Sequence, residues 1–344
     1  MSIRHRPMRS ADIAECAQMV AAHPVFGPRY GRAIADLPAA WLRLLDFEAK
    51  NATVFEEVNG SHATICCVGV TVFVGDDFVR ELKSPPLFWI GPELAKRTVS
   101  GYSPVLTDKQ LREANSCGGL NLVVWEGCLR PDFLKNSELH RSTLNTFAGE
   151  HRGYLWKEAI SSQVECVERL AYVLETGGLL WDTTIGRYVG SLEKTPQEII
   201  KEPHVIGVTR GIEQKRTGSW VGGPFEYHPP QFGFSRGEQR LLLSALSGGT
   251  DMELSGDLGT SVSTVKNTWR SIYNRVASHL PELFSDHVDV DAQISERGRE
   301  KRRRLLTHLR EHPEELRPFV PRLLQRSGVV AAPKKTPAGK PRQT

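Results

Sequence analysis

The sequence predicts an α+β protein in which a mixed α/β domain over residues 1–230 precedes an all-α, winged-helix-like module over 231–290. Three observations carry this. Segments rich in β-branched residues alternate with segments of helical period through the first 230 residues. A stretch dense in Gly and Pro, GSWVGGPFEYHPPQFG at 218–233, then breaks the pattern. After it come three short helical segments, each opened by a capping residue. Residues 291–327 read as a basic helical extension broken at Pro313, Pro318 and Pro321, and 328–344 as a disordered tail.

In chain order, Ser2 to Arg6 reads as a short strand. Ser10 opens a helix whose inner face carries Ile13, Ala17 and Val20. Pro38 to Ala49, with Trp41, Leu42, Leu45 and Phe47, reads as a second helix. Thr53 to Glu57 and Ala63 to Val74 form a hairpin about Asn59-Gly60, with a loop longer than two residues. Leu120 to Trp125 is a buried strand. Thr107-x-x-Gln110, Ser162-x-x-Glu165 and Thr195-Pro-Gln-Glu198 have the reciprocal side-chain spacing of helix starts. Glu126 after Trp125, Asp182 after Trp181 and the pair His151-Arg152 read as surface polar residues at element ends. Cys66-Cys67 sits in an apolar strand, where alternation sends neighbours to opposite faces and disfavours a redox pair.

Composition narrows the function classes. The chain has 344 residues, 40% hydrophobic and 24% charged, as expected of a globular protein. Its longest apolar run, Ala63 to Val74, falls short of the roughly 20 residues a membrane helix needs, so no membrane partner is expected. No secretory signal opens the sequence, and the six cysteines form no C-x-x-C pair. A cytoplasmic protein with reduced thiols and no bound metal is the expectation. Charge is unevenly spread. Residues 297–344 hold 14 Lys and Arg against 4 Asp and Glu, while the preceding 296 residues hold 30 basic against 36 acidic. The basic end suits an anionic partner or a solvated surface.

The informative stretch is Phe234 to Phe284. Ser235 with Glu238 and Thr250 with Glu253 form two capping boxes, and Ser261 opens a third helix running to about Val276. Gly248-Gly249 and Gly259-Thr260 separate the three, as in a helix-turn-helix. In the third helix Val265, Trp269, Ile272 and Val276 share one buried face. Ser263, Thr264, Lys266, Asn267, Arg270, Ser271 and Asn274 then point outward, and no acidic residue lies among them. A face of Lys, Arg, Asn, Ser and Thr can meet both phosphates and base edges. A three-helix bundle that binds no DNA and the fourth region of sigma factors share the same helical pattern.

This stretch resembles the DNA-binding domain of LuxR-type regulators. The resemblance rests on Phe234-Ser235, Glu238, Gly248, Thr250, Glu253-Leu254-Ser255, Leu258, Ser261, Thr264-Val265-Lys266, Ile272 and Val276, about 45 residues aligned without a gap. Thr268 stands where the family usually has His, and Thr260 where it has Ile or Val. The resemblance implies a transcriptional regulator with Lys266, Asn267 and Arg270 at base-reading positions and Thr264 at the backbone. Ser263 and Asn274 complete the DNA-binding set. The implied partners are double-stranded DNA, a second copy of the chain in a homodimer, and an unidentified small-molecule effector. The start, IRHRPMRSADIAECAQMV, is similar to the opening strand and helix of GNAT-type acetyltransferases. Those hold acetyl-CoA with a [QR]-x-x-G-x-[GA] loop, which this sequence lacks; Arg97 to Tyr102 has the wrong spacing. No enzymatic activity, catalytic residue or cofactor is therefore expected, and an acetyltransferase with a DNA-binding appendage is the alternative.

Overall fold

A computed structural model describes residues 2–60, 62–213, 222–246, 248–284 and 294–320. The expected tail at 328–344 and part of the Gly/Pro-dense stretch lie outside them. Among the described residues eight strands form: β1 (Ser2–Pro7), β2 (Lys50–Asn59), β3 (His62–Val74), β4 (Leu120–Leu129), β5 (Trp156–Ser161), β6 (Leu179–Asp182), β7 (Arg187–Val189) and β8 (Ile206–Thr209). They form one mixed sheet in the order β1-β2-β3-β4-β5-β8-β6-β7. Only β4 and β5 run parallel; they pair from Leu120↔Trp156 to Val123↔Ile160, and β4 continues alone on that side to Leu129.

Around the sheet lie helices α1 (Ile13–Ala22), α2 (Phe26–Tyr30), α3 (Leu37–Leu44), α4 (Asp76–Leu82), α5 (Ile90–Ser100), α6 (Asp108–Ser116), α7 (Ser137–His151), α8 (Val167–Glu175), α9 (Pro196–Lys201), α10 (Arg210–Glu213) and α11 (Gly222–Phe225). The capping boxes at Thr107 and Thr195 form as the spacing requires, with each hydroxyl accepting the N–H three residues on. Trp41, Trp125 and Trp156 are among the largest side chains fully buried in this part of the chain.

Several expectations change. The strands meet at Asn59↔His62, so the hairpin connection is two residues long, with Gly60 at φ 62° supplying the left-handed turn. The second helix stops at Leu44, since Ala49 already joins the ladder by accepting the Phe73 N–H. Ser162 opens no helix; it is buried, and α8 starts only at Val167 with Cys166 as its cap. A bulge between Phe55 and Glu56 draws both Cys66 and Cys67 into one apolar cluster with Phe133 and Leu139. Simple alternation therefore fails at that pair.

The C-terminal helices are α12 (Arg236–Leu246), α13 (Asp251–Leu258), α14 (Val262–His279) and α15 (Ile294–Glu311). Thr250 caps α13 with its Glu253 partner, Gly259 ends it at φ 61°, and Ser261 opens α14 by accepting the Thr264 N–H. Their core joins Leu241, Leu242, Leu254, Val265, Trp269, Ile272 and Val276 to Leu305, Leu306 and Leu309 of α15. The basic extension is thus half of a packed helix and not only a charged surface. Phe225 packs into the sheet's core and Phe232 into this second one.

The two cores touch through named contacts. Arg236 pairs with Glu48 at 2.5 Å and Asp108 at 2.9 Å. Asn115 Nδ2 donates to the Pro318 carbonyl at 2.6 Å. Arg317 donates to the carbonyls of Arg152 and Gly149 and lies over the Tyr154 ring. Gly153, at φ 81°, leaves no room for a side chain, since a Cβ there would lie 2.4 Å from the Glu314 nitrogen.

Candidate nucleic-acid interface and a buried polar cleft

On α14 the four apolar residues Val265, Trp269, Ile272 and Val276 are buried, which fixes the rotation of the helix. Ser263, Thr264, Lys266, Asn267, Arg270 and Asn274 are all exposed. Ser271 is exposed as expected, yet it and the half-buried Arg275 both reach a carboxylate of another helix. The Ser271 hydroxyl donates to Glu238 Oε1 at 2.8 Å, and Arg275 Nε lies 3.4 Å from Glu238 Oε2. Burial alone would raise the Glu238 carboxyl. The Ser235 N–H, the Ser271 and Ser235 hydroxyls and the Arg275 charge outweigh it and hold the acid below its usual range. Glu238 thus locks the start of α12 to the middle of α14. Ser263 and Thr264 both bond the Ser261 hydroxyl at 2.8 Å, so their oxygens are already engaged in the cap.

The charges of α15 are also spoken for in part. Arg302 pairs with Asp251 at 3.0 Å, donates to the Gly249 carbonyl and lies 4.6 Å over the Trp269 ring. Arg303 and Arg304 both bond Glu300. Lys301 and Arg303 remain exposed.

Sequence reasoning missed a second polar constellation. Glu126 is 1% exposed and lies on β4 just past its last pairing with β5, at a bulge that displaces Trp125. Its carboxylate accepts from Tyr30 Oη at 2.8 Å. Burial pushes its pKa up to about 7 against the opposing pull of Tyr30, the Gly127 N–H and the Arg29 charge. His151, at the end of α7, is also buried. Its Nδ1 bonds the Phe147 carbonyl at 2.7 Å, so that nitrogen carries the proton and Nε2 accepts from the Thr71 hydroxyl at 2.8 Å. Burial lowers its pKa to about 4. Both residues had been read as surface groups. A strand end read from sequence says nothing of what packs over it, and here α2 and α7 cover the sheet. Asp182 does stay at the surface, accepting the Thr184 N–H in the β6–β7 turn.

The connection from β4 to α7, Arg130 to Asn136, contains no glycine. Asn136 caps α7 with its own side chain, accepting the Leu139 N–H at 2.9 Å. One of the free N–H groups that a phosphate would use is thereby occupied. Among the described residues no group of three or more metal-binding side chains is found, and no helix is long and apolar enough to cross a membrane.

The architecture is that of a mixed α/β sheet domain with a helical C-terminal part. No family model and no curated protein matches the chain. It is similar to a solved structure described as a histone acetyltransferase and related acetyltransferase from Corynebacterium glutamicum, with TM-score 0.34 and 12% identity over 60% of this chain and 95% of that one. It is also similar to an uncharacterized protein from Bacillus halodurans, with TM-score 0.34 and 9% identity over 64% of this chain and 90% of that one. Likenesses of this degree establish neither family nor activity.

Proposed function

We propose that the protein is a sequence-specific DNA-binding transcriptional regulator that docks α14 in the major groove and binds as a homodimer on a two-fold site. One observation supports this above the rest. The core holds α14 in a rotation that leaves Lys266, Asn267 and Arg270 exposed together, with no acid among them. Asn267 and Arg270 lie about one turn apart, within reach of neighbouring base edges. The test is selection of bound duplexes from a random pool by the full-length chain, followed by gel shifts. Asn267→Ala and Arg270→Ala should each cost about 1–3 kcal/mol on the selected site and much less on random DNA. Equal losses on both DNAs would reduce these residues to phosphate contacts, and an unenriched pool would end the proposal.

The second reading, acyl transfer by the N-terminal domain, has a specific observation in its favour. The pairing of β4 with β5 ends at Val123↔Ile160, and the buried Glu126, with a pKa near neutrality, lies three residues further along β4. The solved structures lean the same way, at a likeness too distant to carry it. Against it stands the glycine-free, self-capped start of α7. Saturable binding of acetyl-CoA to the full-length chain, measured by calorimetry, would favour the enzyme.

A further inference from the structure

A cavity of about 180 Å³ lies between α7 and strands β2, β3 and β4. At about 30 Å³ of liquid per water it has room for roughly six waters, or an organic molecule of about eight non-hydrogen atoms. Its wall is mixed in an orderly way. Phe55, Leu129 and Phe147 supply apolar surface, while Glu150 from α7 and Arg169 from α8 supply charge.

Among the described residues neither charge has a close, hydrogen-bonded counter-ion. Glu150 accepts from the Thr53 hydroxyl at 2.8 Å. Burial raises its pKa, with that hydroxyl and the charge of Arg317 pulling the other way. The Arg317 guanidinium is itself committed to the carbonyls of Arg152 and Gly149. Arg169 has Glu165 3.8 Å away, on the preceding turn, as its ion-pair partner. A partly buried carboxylate held by a hydroxyl and a guanidinium whose carboxylate partner stays 3.8 Å away therefore face one small space. Of the remaining ionisable groups at the wall, the Cys67 thiol is pushed up by burial and the other two are bonded within the fold. His151 is neutral, with both nitrogens bonded, and Glu126 bonds Tyr30.

We propose that this cavity is a binding site for a small zwitterion, a free amino acid with a short aliphatic side chain. Its ammonium pairs with Glu150, its carboxylate pairs with Arg169, and its side chain lies against Phe55 and Leu129. A group carrying only one of the two charges leaves the other wall residue unmatched, which is the source of selectivity. The site lies outside α14, and DNA plays no part in the test, so it stands or falls independently of the proposed DNA binding.

The structure supplies a substitution that blocks the space without touching either charge. Gly69 lines the cavity from β3, and a Cβ added there meets nothing within 4 Å. Calorimetric titration of the full-length protein with L-valine at up to millimolar concentration should give saturable one-to-one binding. N-acetyl-L-valine and L-valinamide, each lacking one charge, should bind about tenfold to a hundredfold more weakly. Glu150→Gln and Arg169→Gln should each lose a similar factor, and Gly69→Val should abolish binding while its thermal unfolding stays cooperative. Absence of binding by L-alanine, L-valine and L-leucine alike would overturn the proposal. So would blocked analogues that bind as well as the free amino acid, or valine binding that survives in Gly69→Val.

Discussion

Removing Leu305 and Leu309 from α15 should unfold the helical module, although both sit in a segment whose sequence is dominated by charge. The two leucines are 0% and 1% exposed and pack in one core with Phe232, Leu241 and Trp269. A buried Leu→Ala change costs about 2–5 kcal/mol, from lost transfer energy and the cavity left behind. The pair together should cost about 4–10 kcal/mol if the sites add, and somewhat less if the cavities merge. A module of this size, roughly eighty residues, has about 4–12 kcal/mol of stability to lose. Leu309→Ala alone should therefore lower the midpoint of the module's transition by many degrees, and the double substitution should abolish it at 37 °C. The assay is thermal unfolding of the full-length chain by circular dichroism, with limited proteolysis to assign the transition. Arg303→Ala, on the exposed side of the same helix, is the control for a purely electrostatic effect. A double variant whose midpoint stays within a couple of degrees of the parent would refute the reasoning and return α15 to the status of a solvated extension. By the same logic, truncation after Val290 should unfold the module and not simply weaken its hold on phosphates.

Glu126 predicts a pH dependence. Its folded pKa, about 7, lies above the ordinary carboxylate value, so the folded state keeps a proton that the unfolded state has lost. Stability falls as pH rises from about 4.5 to about 7, by a total near 3 kcal/mol. His151 and His204, both lowered to about 4 by burial, act in the opposite direction between about 4 and 6.5. The difference between the parent and Glu126→Gln in denaturant titrations isolates the acid: the variant should gain relative stability from pH 5 to pH 8, and a flat difference would show the carboxyl to be solvated. Gly153→Ala should loosen the contact with residues 313–317, because the new Cβ meets the Glu314 backbone and φ is positive. Faster cleavage after Glu315 by a glutamate-specific protease is the readout. Lys301→Ala with Arg303→Ala should flatten the slope of log affinity against log salt by about 1–2 units and leave sequence preference unchanged, as measured by gel shifts at several salt concentrations. An unchanged slope would exclude both residues from phosphate contact.

What the sequence revealed depended on range. The reciprocal caps at Thr107, Thr195 and Thr250 and the buried stripe of α14 are local, fixed by residues three or four apart, and they form as read. So do β1, the hairpin strands and the core of β4. The pairing of β5, β8, β6 and β7 is set by contacts between distant segments, and no local pattern encodes it. Glu126 and His151 were misjudged for a related reason. Their burial comes from Tyr30 about a hundred positions away and from a helix lying across the sheet. The leucines of α15 are visible beside REKRRR, but that they pack into this chain's own core is again decided by distant segments. The exposed face of α14 was legible, Ser271 included, but the Glu238 carboxylate from another helix that Ser271 and Arg275 reach was not.

The last turn of α7 and the bend after it serve two neighbours at once. Glu150 and His151 line the cavity, while Gly149, Arg152 and Gly153 receive Arg317 and Glu314 from beyond α15. A displacement of this turn cannot be felt on one side alone. Free energies around a closed cycle sum to zero, so a molecule in the cavity that changes how firmly residues 314–317 are held must in turn be bound more or less tightly by the same factor whenever that hold changes. Five residues, 149 to 153, are thereby the shared currency between the sheet and the helices, and they would transmit in both directions.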